Sequence, residues 1–210
     1  MSTAEAITEP RPMSVAEYER FIDTAEIRYE FDRGHVRAMA GGTPDHGRLI
    51  VDLILKLGPA IDSDCELFPA DVAIHAADAA FFYPDASIVC GEAEFSDRGR
   101  LTNPQIVFEV LSPSTELHDR TRKREAYLAM PSVQAVVLID SREWRVEIFG
   151  RSDDADVMTF RSVHGPDGAF SLPGLDGTIR LADLYRRTTE AVADPWAEEV
   201  KEAETAEPAP

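Results

Sequence analysis

The chain is poor in cysteine, in basic residues and in long apolar runs, and each shortage excludes something. Only Cys65 and Cys90 occur in 210 residues, and they form neither a C-x-x-C pair nor a metal-ligand spacing. That argues against a disulfide-built scaffold and suits a reducing cytoplasm. No apolar stretch approaches the ~20 residues that cross a bilayer, so no membrane span is expected. The opening MSTAEAITEPRP is acidic and Pro-containing, with no basic start and no apolar run, and does not read as a signal peptide. Lys and Arg total 21 against 39 Asp and Glu, a formal net charge of −18. A charge of that sign argues against broad, non-specific nucleic-acid binding. No G-x-S-x-G frames Ser112 or Ser114, which removes a serine hydrolase.

What is present fits one core of ordinary size, with 44% apolar and 8% aromatic residues. Residues 1–12 and 189–210 read as tails around a domain at 13–188. From Glu190 onward the chain holds seven acids against Lys201, a net −6 of the −18, so charge in the body can be local. Ser14 and Glu17 predict a capping box for a short helix to about Asp23. Tyr29, Phe31 and Val36 flank a turn signal at Asp32-Arg33-Gly34, which predicts a hairpin. Leu49, Ile50, Leu53, Ile54 and Leu57 have helical spacing within Pro44–Ile61. Strands are expected near Glu66–His75, Ala86–Cys90, Gln105–Leu111, Val136–Asp140, Arg145–Phe149, Val157–Val163 and Thr178–Leu181. Helices are expected at Asp119–Met130 and within LADLYRR. One strand–helix–strand unit, Gln105–Asp140, among hairpins predicts an α/β (α+β) domain with a mixed sheet flanked by helices.

The strand QIVFEVL raises a physical question. Glu109 sits among Ile106, Val107, Phe108, Val110 and Leu111, and a carboxylate buried there is costly unless paired or bound to metal. Asp85, after Pro84, leads into the strand ASIVC. Two acids on neighbouring strands, if close, raise each other's pKa, and a divalent cation relieves that repulsion. Lys123 lies on the helix that follows, with Asp119 and Tyr127 at i−4 and i+4 on its face. A lysine beside metal-bound carboxylates orients the attacking water and stabilises charge on a phosphoryl group. Arg120, Arg122 and Arg124 would add phosphate contacts, one basic edge on an acidic chain. Each residue also has an ordinary reading. Asp85 is a turn residue, Glu109 an ion-pair partner of an arginine, Lys123 a solvated helix residue and His46 a helix cap or surface residue. Asp119 is an acid at a helix start, and Glu30 the outward residue of an alternating strand.

Pro84-Asp85, EVLSPST at Glu109–Thr115 and DRTRK at Asp119–Lys123 with Tyr127 resemble the Uma-two family of restriction-endonuclease-like proteins, which are similar to the PD-(D/E)XK nucleases. MSVAEYERF, YEFDRGHV with Glu30, GGTPDHGRLI with His46 and SLPGLDGTIRLADLY extend the resemblance over about Met13–Tyr185. It implies a restriction-endonuclease-like core with Asp85 and Glu109 as metal ligands and Glu30 as a further acid of the site. The parent motif has lysine two residues after the glutamate; here that residue is Leu111, and the resemblance assigns its role to Lys123. The resulting expectation is an Mg²⁺- or Mn²⁺-dependent endonuclease acting on nucleic acid, DNA first. Asp85, Glu109 and the Val110 carbonyl would hold metal, and His46 and Tyr127 are accessory candidates. The resemblance also implies a homodimer, because restriction-like nucleases commonly need two sites for two strands. Two rivals remain: a catalytically silent interaction or regulatory protein on the same fold, and a metal-free acid/base hydrolase such as a glycosidase, which the basic helix disfavours. If Lys123 acts on water and phosphate from a helix face, Lys123→Ala is expected to abolish cleavage and, since alanine is a good helix former, to leave stability almost unchanged.

Overall fold

A computed structural model of the chain describes residues 11–39, 41–152 and 157–189. The tails expected at 1–12 and 189–210 therefore lie almost entirely outside the described residues. A two-residue strand, β1 (Arg11–Pro12), comes first. In α1 (Val15–Ile22) the capping box forms: Ser14 Oγ accepts the Glu17 N–H, and the Glu17 carboxylate accepts the Ser14 N–H at 2.7 Å. The hairpin of β2 (Tyr29–Asp32) and β3 (His35–Ala38) turns through Arg33 and Gly34, both at positive φ, 47° and 92°. Two such residues match the strand twist at a two-residue turn. Helix α2 (Pro44–Leu57) starts at a Thr43 cap and buries Leu49, Leu53 and Leu57.

Four strands follow: β4 (Cys65–Pro69), β5 (Ile74–Ala76), β6 (Ala80–Phe82) and β7 (Ala86–Cys90). The expected strand at Glu66–His75 is thus two strands in different sheets. Pro69 ends the first, because proline has no N–H for the ladder, and the chain turns there with Val72 N–H bonded to the Pro69 carbonyl. After β8 (Ile106–Leu111) comes one helical run, earlier than expected: α3 (Glu116–His118), a π-helical turn (Asp119–Lys123) and α4 (Arg124–Leu128). Then come β9 (Ala135–Asp140), β10 (Arg145–Arg151), β11 (Met158–His164), β12 (Ala169–Phe170), β13 (Ile179–Arg180) and α5 (Leu181–Leu184).

Six strands form the central sheet in the order β11-β10-β9-β8-β7-β4. Its β8–β9 pair is parallel, joined by the helical run, and its other pairs are antiparallel, so the sheet is mixed as expected. A five-stranded sheet, β1-β3-β2-β6-β5, stands beside it. Tyr18, Phe31 and Phe81 pack there as a cluster of rings with centroids 4.9–5.6 Å apart. All six residues of β8 are buried, and their alternation divides them between two cores. Ile106, Phe108 and Val110 join α2 and α5, while Val107 and Leu111 join Tyr127 and Met130 under α4. Glu109 shares the second face and so points at the helix that carries Lys123.

Cys65 and Cys90 pair across β4 and β7 and form a disulfide, contrary to the expectation from their spacing. The reason is topological: 25 residues apart in sequence, they are direct cross-strand partners once the two strands align. Among the described residues no helix is long and apolar enough to cross a membrane.

Candidate active site

The cleft is built where β8, β7, β2 and the helical run meet. Asp85 enters β7 beside β8, and its carboxylate accepts the Val110 N–H at 2.6 Å. That bond turns the aspartate from a turn residue into a group locked against β8. Glu109 is 3% exposed and accepts the Tyr127 hydroxyl at 2.9 Å. Lys123 is 4% exposed, and its ammonium lies 2.7 Å from Glu109, 3.0 Å from Glu30 and 3.4 Å from Asp119. Lys123 is therefore no solvated helix residue, Glu109 pairs with lysine rather than arginine, and Asp119 faces the cleft instead of a helix start. Glu30 is buried as well, and its carboxylate accepts the Tyr83 N–H at 3.1 Å.

This burial changes the expectation for Lys123→Ala. Removing one partner of a buried ion pair leaves uncompensated charge and typically costs 3–5 kcal/mol, so alanine's helix propensity decides little. The directions of titration fit the geometry. Burial pushes the Glu109 carboxyl well above the usual carboxylate range, with Asp119, Asp85 and Glu30 adding to it and Lys123 opposing. Burial alone would lower Lys123, but Glu109, Glu30, Tyr127 and Asp119 outweigh it and hold the proton more tightly than usual. Tyr127 is pushed up by the same burial and by Glu109.

His46 reaches the cleft from the first turn of α2, with its Nε2 3.6 Å from the Asp85 carboxylate. Burial works against its charge, yet Asp85 and a hydrogen bond with the Val110 backbone raise its pKa. Its own N–H also bonds the Thr43 hydroxyl, so it is a cap-turn residue and a cleft residue together. His118, not singled out in the sequence, lies 3.8 Å from Glu30 and is lowered by burial. Arg37, also missed, lines the cleft and donates to the Ser114 carbonyl at 2.9 Å. Its signal was weak: an outward position on a hairpin strand, without a motif. The cleft holds about 80 Å³ of free space.

The three arginines expected as a phosphate edge require a correction. Arg120 bonds Glu116 at 2.9 Å, also bonds Glu147 and lies 3.7 Å from Asp140, away from the cleft lining. Arg124 stacks over Phe149, 4.5 Å from the ring centre. Arg122 grips Asp32 with two bonds of 2.9 Å. Arg122, two residues on, points away from the face of Arg120 and Arg124, and those two are taken up by Glu147 and Phe149 of β10, so three nearby bases need not form one free edge. A separate group, Asp62, Asp64 and Cys65, could be drawn together by a metal, but the Cys65 sulfur is bonded to Cys90.

Comparison with known proteins agrees with this architecture. A crystal structure from Anabaena variabilis, described as a putative nuclease belonging to DUF820, superposes with a TM-score of 0.67 at 16% identity. The match covers 83% of this chain and 98% of that one, and it establishes a shared fold. Two Synechocystis proteins, named uncharacterized proteins sll1609 and slr1290, are 32% and 30% identical over 146 residues. These alignments span 68% and 69% of this chain and 82% and 77% of theirs. The model of the Uma2 family, described as putative restriction endonuclease, matches residues 15–182. With its restriction-endonuclease-like core and this match over most of its length, the chain belongs to the Uma2 family.

Proposed function

We propose that the chain is a divalent-metal-dependent endonuclease that hydrolyses phosphodiester bonds of nucleic acid, DNA in the first instance. One observation carries this reading: within 3.4 Å of the single Lys123 ammonium lie three carboxylates, with Asp85 a fourth acid of the same cleft. Such an excess of buried acid calls for a further cation. Asp85, Glu109 and the Val110 carbonyl are hard oxygen donors lining one cleft, the donor chemistry that Mg²⁺ and Mn²⁺ take. The His46 ring, held against Asp85 and the Val110 backbone, marks a place already suited to positive charge. The residues fit the metal.

When bound, the cation would supply Lewis-acid polarisation of a phosphoryl oxygen and a water acidic enough to attack near neutral pH. Lys123, kept charged by its three carboxylates, orients the attacking water and stabilises charge on the phosphoryl oxygens. Glu30 and Asp119 hold the ammonium in place, and the Tyr127 hydroxyl fixes the Glu109 carboxylate. Leu111, where the parent motif has lysine, is buried in the core under α4, so the positive charge comes from the helix instead. The proposal includes a homodimer, which light scattering tests, and a cytoplasmic location.

One observation favours a catalytically silent protein on this fold: Arg120 and Arg124 are engaged internally, on a chain of net charge −18. A nicking assay on plasmid and on single-stranded DNA with Mn²⁺ separates the readings. Wild type should cut and Asp85→Asn should not. A purified wild type that cuts no substrate with either metal would make the silent reading the better one.

A further inference from the structure

A second cavity, of about 620 Å³, adjoins the catalytic cleft and shares Glu30, Arg37 and His118 with it. Its other walls come from the β2–β3 hairpin, from Phe82 of β6 and from the helical run. The volume falls within the ~300–1,000 Å³ of sites that bind small ligands. We infer that this cavity is a subsite for a nucleotide next to the scissile phosphate on an unpaired strand, with Arg33, His35 and Arg37 contacting its phosphates. The inference rests on the nuclease reading of the neighbouring cleft and names the form of substrate that cleft receives.

Three observations carry it. The first is charge. Of the two acids in the cavity wall, Asp32 is gripped by both arms of Arg122 and Glu30 is paired with Lys123. Arg33 and Arg37 therefore leave the cavity positive on a chain that is strongly negative. Arg37 uses one of its five N–H donors on Ser114, and Arg33 leans on Asp32 at 3.4 Å. The second is backbone conformation. Arg33 has a φ of 47°, a region where Asn and Gly are at ease and a long side chain is not. An arginine there is not the residue that turn stability alone would choose. The third is shape. The cavity lies between the hairpin and the helical run, and about 620 Å³ is room for a ligand of one nucleotide's order rather than for a base-paired duplex with both backbones. His35 and Arg37, two residues apart on β3, project from the same face towards it, as a strand's alternation requires.

The test measures binding without cleavage, by fluorescence anisotropy of a labelled oligothymidylate and of a blunt duplex, in Ca²⁺ across a salt series. Wild type should prefer the single strand. Arg33→Asn combined with Arg37→Gln should weaken single-strand binding by roughly tenfold near 0.1 M salt and lower the salt slope by about 1.4, the loss of two phosphate contacts. Arg33→Asn alone should melt at or above the wild-type temperature while binding less, a combination that a structural role for Arg33 would not produce. Both exchanges lie on exposed positions, and melting curves confirm the fold. If the double variant binds as wild type does, or if duplex binds as well as single strand, the subsite is overturned while cleavage by wild type still upholds the nuclease reading. If wild type binds the strand through these arginines but cuts nothing, the cavity is upheld as a single-strand binding site and the nuclease reading falls. No binding by wild type overturns the subsite.

Discussion

On one side of the helical run Glu116–Leu128, Lys123 faces Glu109, Glu30 and Asp119; on another, Arg120 joins Glu116, Glu147 and Asp140. The Arg120 side is nearly balanced. Arg142 and Arg145 also bind Asp140, so three guanidinium groups serve a handful of acids around the end of β9. The Lys123 side is not balanced, is more deeply buried and opens to a cleft. A balanced network at a rim is what stability asks for, since each charge has a partner and water is near. An unbalanced buried one raises the energy of the free protein, which favours whatever supplies the missing charge. The helix thus carries a balanced network and an unbalanced one less than two turns apart.

The largest test of that contrast is Lys123→Ala, expected to lower stability by about 3–5 kcal/mol and to abolish cleavage, as read by denaturant melts and plasmid nicking. A loss under 1 kcal/mol would erase the distinction between the two networks. Lys123→Arg should restore charge but little cutting, because a planar fork does not replace a compact ammonium. The same pair is readable through pH. The folded-state pKa of Lys123 lies above its ordinary value, so its stabilisation is complete below about pH 10 and is lost as pH rises through the folded value. Melts taken from pH 8 upward should show wild type and Lys123→Ala converging at the alkaline end.

Metal comes next in size. Mg²⁺ or Mn²⁺ at a hundred times its Kd should stabilise wild type by about 2.7 kcal/mol through mass action. Asp85→Asn with Glu109→Gln should remove the shift, whereas Arg120→Ala should leave it intact. The smallest effect belongs to the balanced side: Arg120→Ala should cost about 1 kcal/mol, because Arg142 and Arg145 still hold the buried Asp140. If Arg120→Ala abolished the metal shift, the two networks would be one.

The unbalanced network was the more legible of the two in the sequence. A carboxylate in an apolar strand and a lysine with Asp119 and Tyr127 at i−4 and i+4 are local patterns, and both periodicities survive folding. The Arg120 network was misread because its acid partners Asp140 and Glu147 arrive from β9 and β10, distant in sequence, and helix spacing does not reveal them. Burial of Lys123 was hidden for the same reason, since Glu30 and Tyr83 close the cleft from other strands. The Cys65–Cys90 pairing needed the β4–β7 register, and β5 and β6, three residues each, are too short to show a period. Arg37 and His118 carry no motif and entered the cleft only through the hairpin and α3.

The central claim is that the unbalanced side is a divalent-cation site, and the anomalous signal of a crystal soaked in Mn²⁺ tests it most directly. A peak coordinated by Asp85, Glu109 and the Val110 carbonyl is predicted, absent in Asp85→Asn. A fully soaked wild-type crystal with no peak in the cleft, or with Mn²⁺ only at Asp62 and Asp64, would contradict it.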